Sequence, residues 1–212
     1  MMTSDKLRAM LALYLVTDER TDCDALLHII RKALEGGVTT VQLRRKHDDG
    51  RQLVELGKAI RQMTTEFGAL YIVNDRVDIA MLTDADGVHV GQSDIACADV
   101  RGLIGKRIIG VSTCTLAEAT AADREGADYL GVGSVFPTSS KPDADMCEIQ
   151  GLAGIARQVD IPVVGIGGIT RQNAPEVMQA GAAGIAVVSA IMQAEDPSRA
   201  SAELLRLVRT GR

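Results

Sequence analysis

Short apolar runs recur along the chain with polar or charged residues at their C-terminal ends. They fall near residues 11–17, 38–43, 70–73, 87–90, 107–112, 128–132, 161–166 and 184–188, and their composition and length are those of buried strands. Between them the spacing turns helical. Leu26, Leu27, Ile30, Ala33 and Leu34 stripe one face of 25–34, with Asp22 or Asp24 available as N-cap. Leu53, Leu56, Ile60 and Met63 mark a second such face. Gly36-Gly37, Gly68, Gly126 and Gly181 stand where a helix must stop before the next strand. Eight strands alternating with helices in 212 residues predict an α/β chain folded as a (β/α)8 TIM barrel, one domain over 1–212. A doubly wound open sheet is the alternative.

The polar ends carry the interest, because barrels of this class place their sites at the C-terminal ends of the strands. In Thr40-Val41-Gln42-Leu43-Arg44-Arg45-Lys46, successive side chains point to opposite sides. Gln42, Arg44 and Lys46 therefore share one face, while Val41 and Leu43 lie on the other. Arg45 has the outward parity and reads as a solvated rim charge. The same construction recurs where Tyr71-Ile72-Val73 runs into Asn74-Asp75, where Val88-His89-Val90 leads to Asp94, and where Ile108 to Val111 runs into Ser112.

Composition narrows the partners. The chain is 46% hydrophobic with two Phe, three Tyr and no Trp, so its core is aliphatic and platforms for stacking bases are scarce. A net charge of −5 disfavours a general nucleic-acid surface and leaves room for a local cationic pocket. Cys23, Cys97, Cys114 and Cys147 form neither a CxxC pair nor a metal cluster, which reads as reduced thiols in a cytoplasmic protein. Lys6 and Arg8 before Met10 to Val16 imitate a signal peptide faintly. The apolar stretch is short, however, and leads into Thr17-Asp18-Glu19-Arg20 instead of a small-residue cleavage site. No segment approaches the roughly 20 apolar residues that span a bilayer.

Three further motifs bear on chemistry. Val163 to Ile166 stops in Gly167-Gly168, and Gly184 to Val188 passes directly into Ser189-Ala190. In many barrels the loops after the seventh and eighth strands form a phosphate site, although two glycines also suit a simple tight turn. Asp75 and Asp94 suit Mg2+, which takes one or two carboxylates and completes its shell with substrate phosphates. Either Asp could instead cap a following helix. Thr138-Ser139-Ser140-Lys141 lies in the long loop 136–147, where hydroxyls and an ammonium could bind phosphoryl oxygens or remain a solvated polar stretch. The histidines look structural: His28 lies in a helix, His47 on the rim, and His89 faces the interior as a packed, hydrogen-bonded residue. No Ser-His-Asp order or zinc spacing is evident.

Taken in order, these pieces resemble the thiamine-phosphate synthase (thiamine-phosphate pyrophosphorylase) family from Leu13 to Ile191. The most specific matches are Gln42-x-Arg44-x-Lys46, Ile72-Val73-Asn74-Asp75-Arg76, Gly87 to Gln92 with Asp94, and Gly131 to Thr138. The resemblance implies a TIM-barrel transferase joining 4-amino-2-methyl-5-hydroxymethylpyrimidine diphosphate to 4-methyl-5-(2-hydroxyethyl)thiazole phosphate. It implies that Gln42, Arg44, Lys46, Asn74 and Lys141 hold the pyrimidine diphosphate with help from Ser112, Thr138 and Ser140. Arg44, Lys46, Ser112 and Lys141 would then be the catalytic set. Asp75 and Asp94 would bind Mg2+, and Gly168, Val188 and Ser189 the thiazole phosphate. The implied reaction is a dissociative displacement in which pyrophosphate leaves before the thiazole nitrogen attacks.

Two positions depart from the family pattern. The loop has Thr-Ser-Ser-Lys where Thr-x-Thr-Lys is usual, and Cys114 stands where relatives often carry His. A related thiazole tautomerase depends on a His at that position, so Cys114 weakens the tautomerase alternative. A barrel that only senses a phosphorylated ligand is the non-enzymatic alternative. The sequence leaves oligomeric state open.

Overall fold

The computed structural model describes residues 3–138 and 146–211. Eight parallel strands, β1 (Leu13–Val16), β2 (Thr40–Leu43), β3 (Leu70–Asn74), β4 (Gly87–Val90), β5 (Ile108–Thr113), β6 (Tyr129–Val132), β7 (Val163–Ile166) and β8 (Gly184–Val187), close into a barrel in chain order. Each pairs with its sequence neighbour, and β8 returns to β1 with Leu15 opposite Val187. The fold is therefore the TIM barrel, and the open sheet is excluded.

Helices surround the strands: α1 (Ser4–Met10), α2 (Cys23–Glu35), α3 (Gly50–Phe67), α4 (Val77–Leu82), α5 (Cys97–Ile104), α6 (Leu116–Arg124), α7 (Glu148–Ala156), α8 (Ala174–Gln179), α9 (Ser189–Met192) and α10 (Pro197–Thr210). Local chemistry explains their ends. Asp22 caps α2 by accepting the Ala25 N–H at 3.0 Å, and Asp49 caps α3 through Gln52. Thr115 and Glu118 form a reciprocal capping box on α6. Gly68 ends α3 at φ 66°, in the left-handed region that a β-carbon resists. Neither Asp75 nor Asp94 serves as a cap. The N-cap positions of α4 and α5 are Arg76 and Ala96, without side-chain caps, because the loops turn both aspartates toward the barrel mouth.

Strand alternation divides the apolar residues into two cores. Outward residues such as Leu15, Val41, Leu43, Val73, Val88 and Ile185 pack beneath the helices with Leu26, Ile30, Leu56 and Ile60. Inward residues Tyr14, Val16, Leu70, Ile72, Ile108, Tyr129, Val164 and Ala186 fill the barrel, and Leu7 and Leu11 close its N-terminal end. At that end, carboxylates brace the strand starts. Asp86 accepts the Tyr71 N–H and an Arg61 N–H, and Asp128 accepts the Ile109 N–H and an Arg101 N–H.

At Gly87 an added β-carbon would collide with the backbone carbonyl of Ile108, which cannot move without breaking β4–β5 pairing. Gly87→Ala is expected to destabilise the barrel by about 3 kcal/mol. Its urea midpoint should fall in proportion with an unchanged slope; a midpoint equal to wild type would show that the strands can separate at little cost.

Candidate active site

The C-terminal ends of the strands open into a cavity of about 610 Å3, in the size range of small-molecule sites. Of the residues singled out from sequence, Gln42, Arg44, Lys46, Asn74, Asp75, Asp94, Ser112, Thr138, Gly168, Val188 and Ser189 all line it. Ser140 and Lys141 lie outside the described residues. His47 is at the rim, and His28 is on an exposed helical face.

The strand β2 face divides as its parity requires. Gln42 is buried at 4% exposure within the barrel, and Arg44 and Lys46 continue the same side upward. Both cations already have partners. Arg44 Nη1 contacts Glu19 Oε1 at 2.7 Å, and Lys46 Nζ contacts Asp75 Oδ2 at 2.9 Å. His47 lies 3.3 Å from the other Glu19 oxygen. Arg45 is not a solvated charge. Its side chain is 10% exposed, with Nε 2.8 Å from Asp48 and Nη1 donating to the Thr21 carbonyl, so it ties the β2 exit to the loop after β1.

Asp75 sits at φ 59°, in a tight turn closed by the Arg76 N–H to the Asn74 carbonyl at 2.6 Å. The left-handed backbone aims its carboxylate into the cavity beside Asp94. Burial raises the Asp75 pKa above the usual carboxylate value. Hydrogen bonding to Lys46 opposes that rise, and the neighbouring Asp94 adds to it. Asp94 is held in turn by the Gly91 N–H at 2.7 Å.

These residues fit a hard divalent cation. Lys46 pairs with Asp75, Asp94 stands beside that carboxylate, and among the described residues the lining carries carboxylates Asp18, Glu19, Asp75 and Asp94 with cations Arg20, Arg44 and Lys46. The two adjacent aspartates offer the carboxylate oxygens that a hard cation takes beside substrate phosphates and water.

Opposite lies the glycine wall. Gly167 and Gly168 have φ of 99° and 61°, and a β-carbon on Gly168 would press on the Phe136 Cβ at 2.8 Å and on the Pro137 carbonyl. Asn173 locks this turn by donating to the Gly168 carbonyl at 3.0 Å and accepting the Thr170 N–H at 2.7 Å. The helix after β8 is only four residues long, so its backbone N–H groups, more than a helix dipole, are what it offers an anion.

Sequence reasoning passed over Tyr14, Tyr129 and Glu19, whereas His89 is the packed, hydrogen-bonded interior residue expected. A continuous hydrogen-bonded chain crosses the barrel at the cavity floor. Gln42 Nε2 donates to the Tyr14 hydroxyl at 2.7 Å, the Tyr14 and Tyr129 hydroxyls are 2.8 Å apart, Tyr129 meets His89 Nδ1 at 3.0 Å, and His89 Nε2 meets Ser112 Oγ at 2.8 Å. Burial pushes both phenols well above the ordinary tyrosine pKa. The inward parity of Tyr14 and Tyr129 could have revealed them. Glu19 carried no signal beyond its place just after a strand end.

Fold and mouth together define a TIM-barrel enzyme whose site gathers charged groups and glycine turns at the C-terminal ends of its strands. Residues 13–191 match the thiamine monophosphate synthase family, and the chain belongs to it. A thiamine-phosphate synthase of Pyrococcus furiosus is 47% identical over 202 residues, covering 95% of this chain and 97% of the relative. One from Methanobrevibacter smithii is 47% identical over 197 residues, covering 92% and 94%. The solved structure of thiamine phosphate pyrophosphorylase from Pyrococcus furiosus superposes with a TM-score of 0.89 at 44% identity, covering 97% of this chain and 98% of that one.

Because Glu19 competes for Arg44, Glu19→Gln should free the guanidinium for an anion. Inorganic pyrophosphate, titrated calorimetrically without metal, is expected to bind about fivefold more tightly to this variant. Weaker binding would mean that Glu19 chiefly holds Arg44 in place.

Proposed function

We propose that this chain is an active thiamine-phosphate synthase. It joins 4-amino-2-methyl-5-hydroxymethylpyrimidine diphosphate to 4-methyl-5-(2-hydroxyethyl)thiazole phosphate, giving thiamine phosphate and pyrophosphate. The carrying observation is the convergence of Gln42, Arg44, Lys46, Asp75 and Asp94 with the Gly167-Gly168 turn on one cavity, in a chain so close to named synthases. The same reading makes it a cytoplasmic enzyme acting on small molecules. No helix among the described residues is long and apolar enough to cross a membrane.

On this reading Arg44 and Lys46 exchange Glu19 and Asp75 for the diphosphate oxygens, a trade of one charge-assisted contact for another. Gln42, Asn74, Ser112 and Thr138 orient the pyrimidine diphosphate, joined by Ser140 and Lys141 from the loop beyond the described residues. Gly168, Val188 and Ser189 hold the thiazole phosphate. Asp75 and Asp94 would hold Mg2+, which when bound supplies positive charge against the departing pyrophosphate. The chemistry asks for no protein nucleophile, and His89 is engaged by Tyr129 and Ser112. Departure of pyrophosphate ahead of thiazole attack demands stabilised negative charge and two aligned partners, which is what cations and glycine amides on rigid strand ends provide.

Cys114, at the position where a tautomerase would need His, does not line the cavity, and its carbonyl accepts from the Cys147 thiol. Burial drives that thiol's pKa up to about 12, so it is no base either.

Mixing both precursors with Mg2+ should release one pyrophosphate per thiamine phosphate formed. Isomerisation of the thiazole without coupling would make the chain a tautomerase, and binding without turnover a sensor. Chelation should abolish turnover and added Mg2+ restore it. Asp94→Ala is expected to lower kcat by about 100-fold or more with an unchanged circular dichroism spectrum; wild-type turnover would remove Asp94 from the site.

A further inference from the structure

The chain of five groups across the cavity floor has a direction. Gln42 donates to Tyr14 through Nε2, so the Tyr14 hydroxyl already accepts there and must place its own hydrogen on Tyr129, its other partner. Were Tyr129 to donate to Tyr14 instead, the Tyr14 hydrogen would be buried without an acceptor. Tyr129 in turn donates to His89 Nδ1, which makes His89 the neutral Nε2–H tautomer. That N–H donates to Ser112 Oγ. Ser112 thus accepts on its inner side, and its hydrogen is left for the cavity. At the other end, Gln42 has its Oε1 left to accept.

We propose that Tyr129 is a positioning residue that transmits the orientation of the Gln42 amide to Ser112, so that Ser112 is a committed hydrogen-bond donor to substrate and Gln42 an acceptor. The inference rests on the proposed synthase reading for its substrate, because an aminopyrimidine diphosphate has amino hydrogens for Gln42 and acceptor atoms for Ser112. The chain's polarity itself is independent of that reading.

Two features show that the fold makes room for this chain. Gly110 and Gly131, on the neighbouring strands β5 and β6, leave the space that Tyr129 and His89 occupy. A β-carbon on Gly110 would lie 2.5 Å from His89 Nδ1 and collide with the Tyr129 ring, and one on Gly131 would lie 2.9 Å from His89 Cε1. The elevated phenol pKa values keep both tyrosine hydrogens in place across the working pH range. Hydrogen-bond direction, unlike packing, can be reversed from a distance.

The test reads the tautomer of His89 in the full chain by long-range 1H–15N correlation on 15N-histidine protein. The other two histidines, His28 and His47, are both exposed and are assigned by replacement with Gln. Wild type should show a pyridine-type Nδ1 and a pyrrole-type Nε2. Gln42→Glu, measured at about pH 8, puts an acceptor-only group against Tyr14 and should reverse every link, turning His89 into the Nδ1–H tautomer. In Tyr129→Phe the tautomer should no longer follow position 42, and KM for the pyrimidine diphosphate should rise about tenfold with KM for thiazole phosphate unchanged. If Tyr129→Phe fails to fold, Tyr14→Phe cuts the chain one link earlier. A wild-type Nδ1–H tautomer, a Gln42→Glu spectrum unchanged at His89, or a reversal that survives removal of Tyr129 would each overturn the proposal. Absence of coupling activity in wild type would sink the synthase reading and leave the tautomer result standing.

Discussion

Pairing of β8 with β1 is the contact on which the remaining structure depends. An open parallel sheet has two free edges and two equivalent faces; once closed, it has an inside of fixed and small volume. The inside is filled from the N-terminal end by Leu7, Leu11, Leu70 and Ile108, with Tyr14, Tyr129 and Val164 above them. The two tyrosine hydroxyls begin the polar floor of the cavity, and above them polar strand ends share the lining with Val16, Ile166 and Val188.

The charged layer above the tyrosines follows a second constraint. Like charges brought together at strand ends must be balanced, and Arg44 with Glu19 and Lys46 with Asp75 do so within the protein. On the proposed reading a diphosphate entering this mouth would take over contacts that already exist, so its gain would be the difference between two pairings and not the whole of either. Asp94, held by the Gly91 N–H, stands beside Asp75, and these two carboxylates are where the proposed reading would put a metal. The glycine wall, by contrast, has no charge to balance and offers only close approach.

Much of this was readable from residue order. The alternation of Gln42, Arg44 and Lys46 against Val41 and Leu43 placed one set in the cavity and the other under the helices, as found. The eight strand runs matched the observed strands to within a few residues, and Asp22 and Gly68 ended their helices by the expected chemistry. Period and punctuation are local, so local reading recovers them. Arg45 was misread because parity says only which side a residue leaves from; it cannot say that Asp48 and the Thr21 carbonyl wait there. Asp75 and Asp94 could have been helix caps on spacing alone, until the loop backbone turned them inward.

Sequence by itself determined the strand–helix alternation, hence the barrel, and the kinds of group that gather at its mouth, because side-chain periodicity and turn residues act over a few positions. Tertiary structure alone decided the pairings: Glu19 with Arg44, Lys46 with Asp75, and the Gln42–Tyr14–Tyr129–His89–Ser112 chain, whose members come from five different strands. Those contacts exist only once closure brings residues as far apart as Tyr14 and Tyr129 within hydrogen-bonding distance, and separation along the chain carries no trace of that.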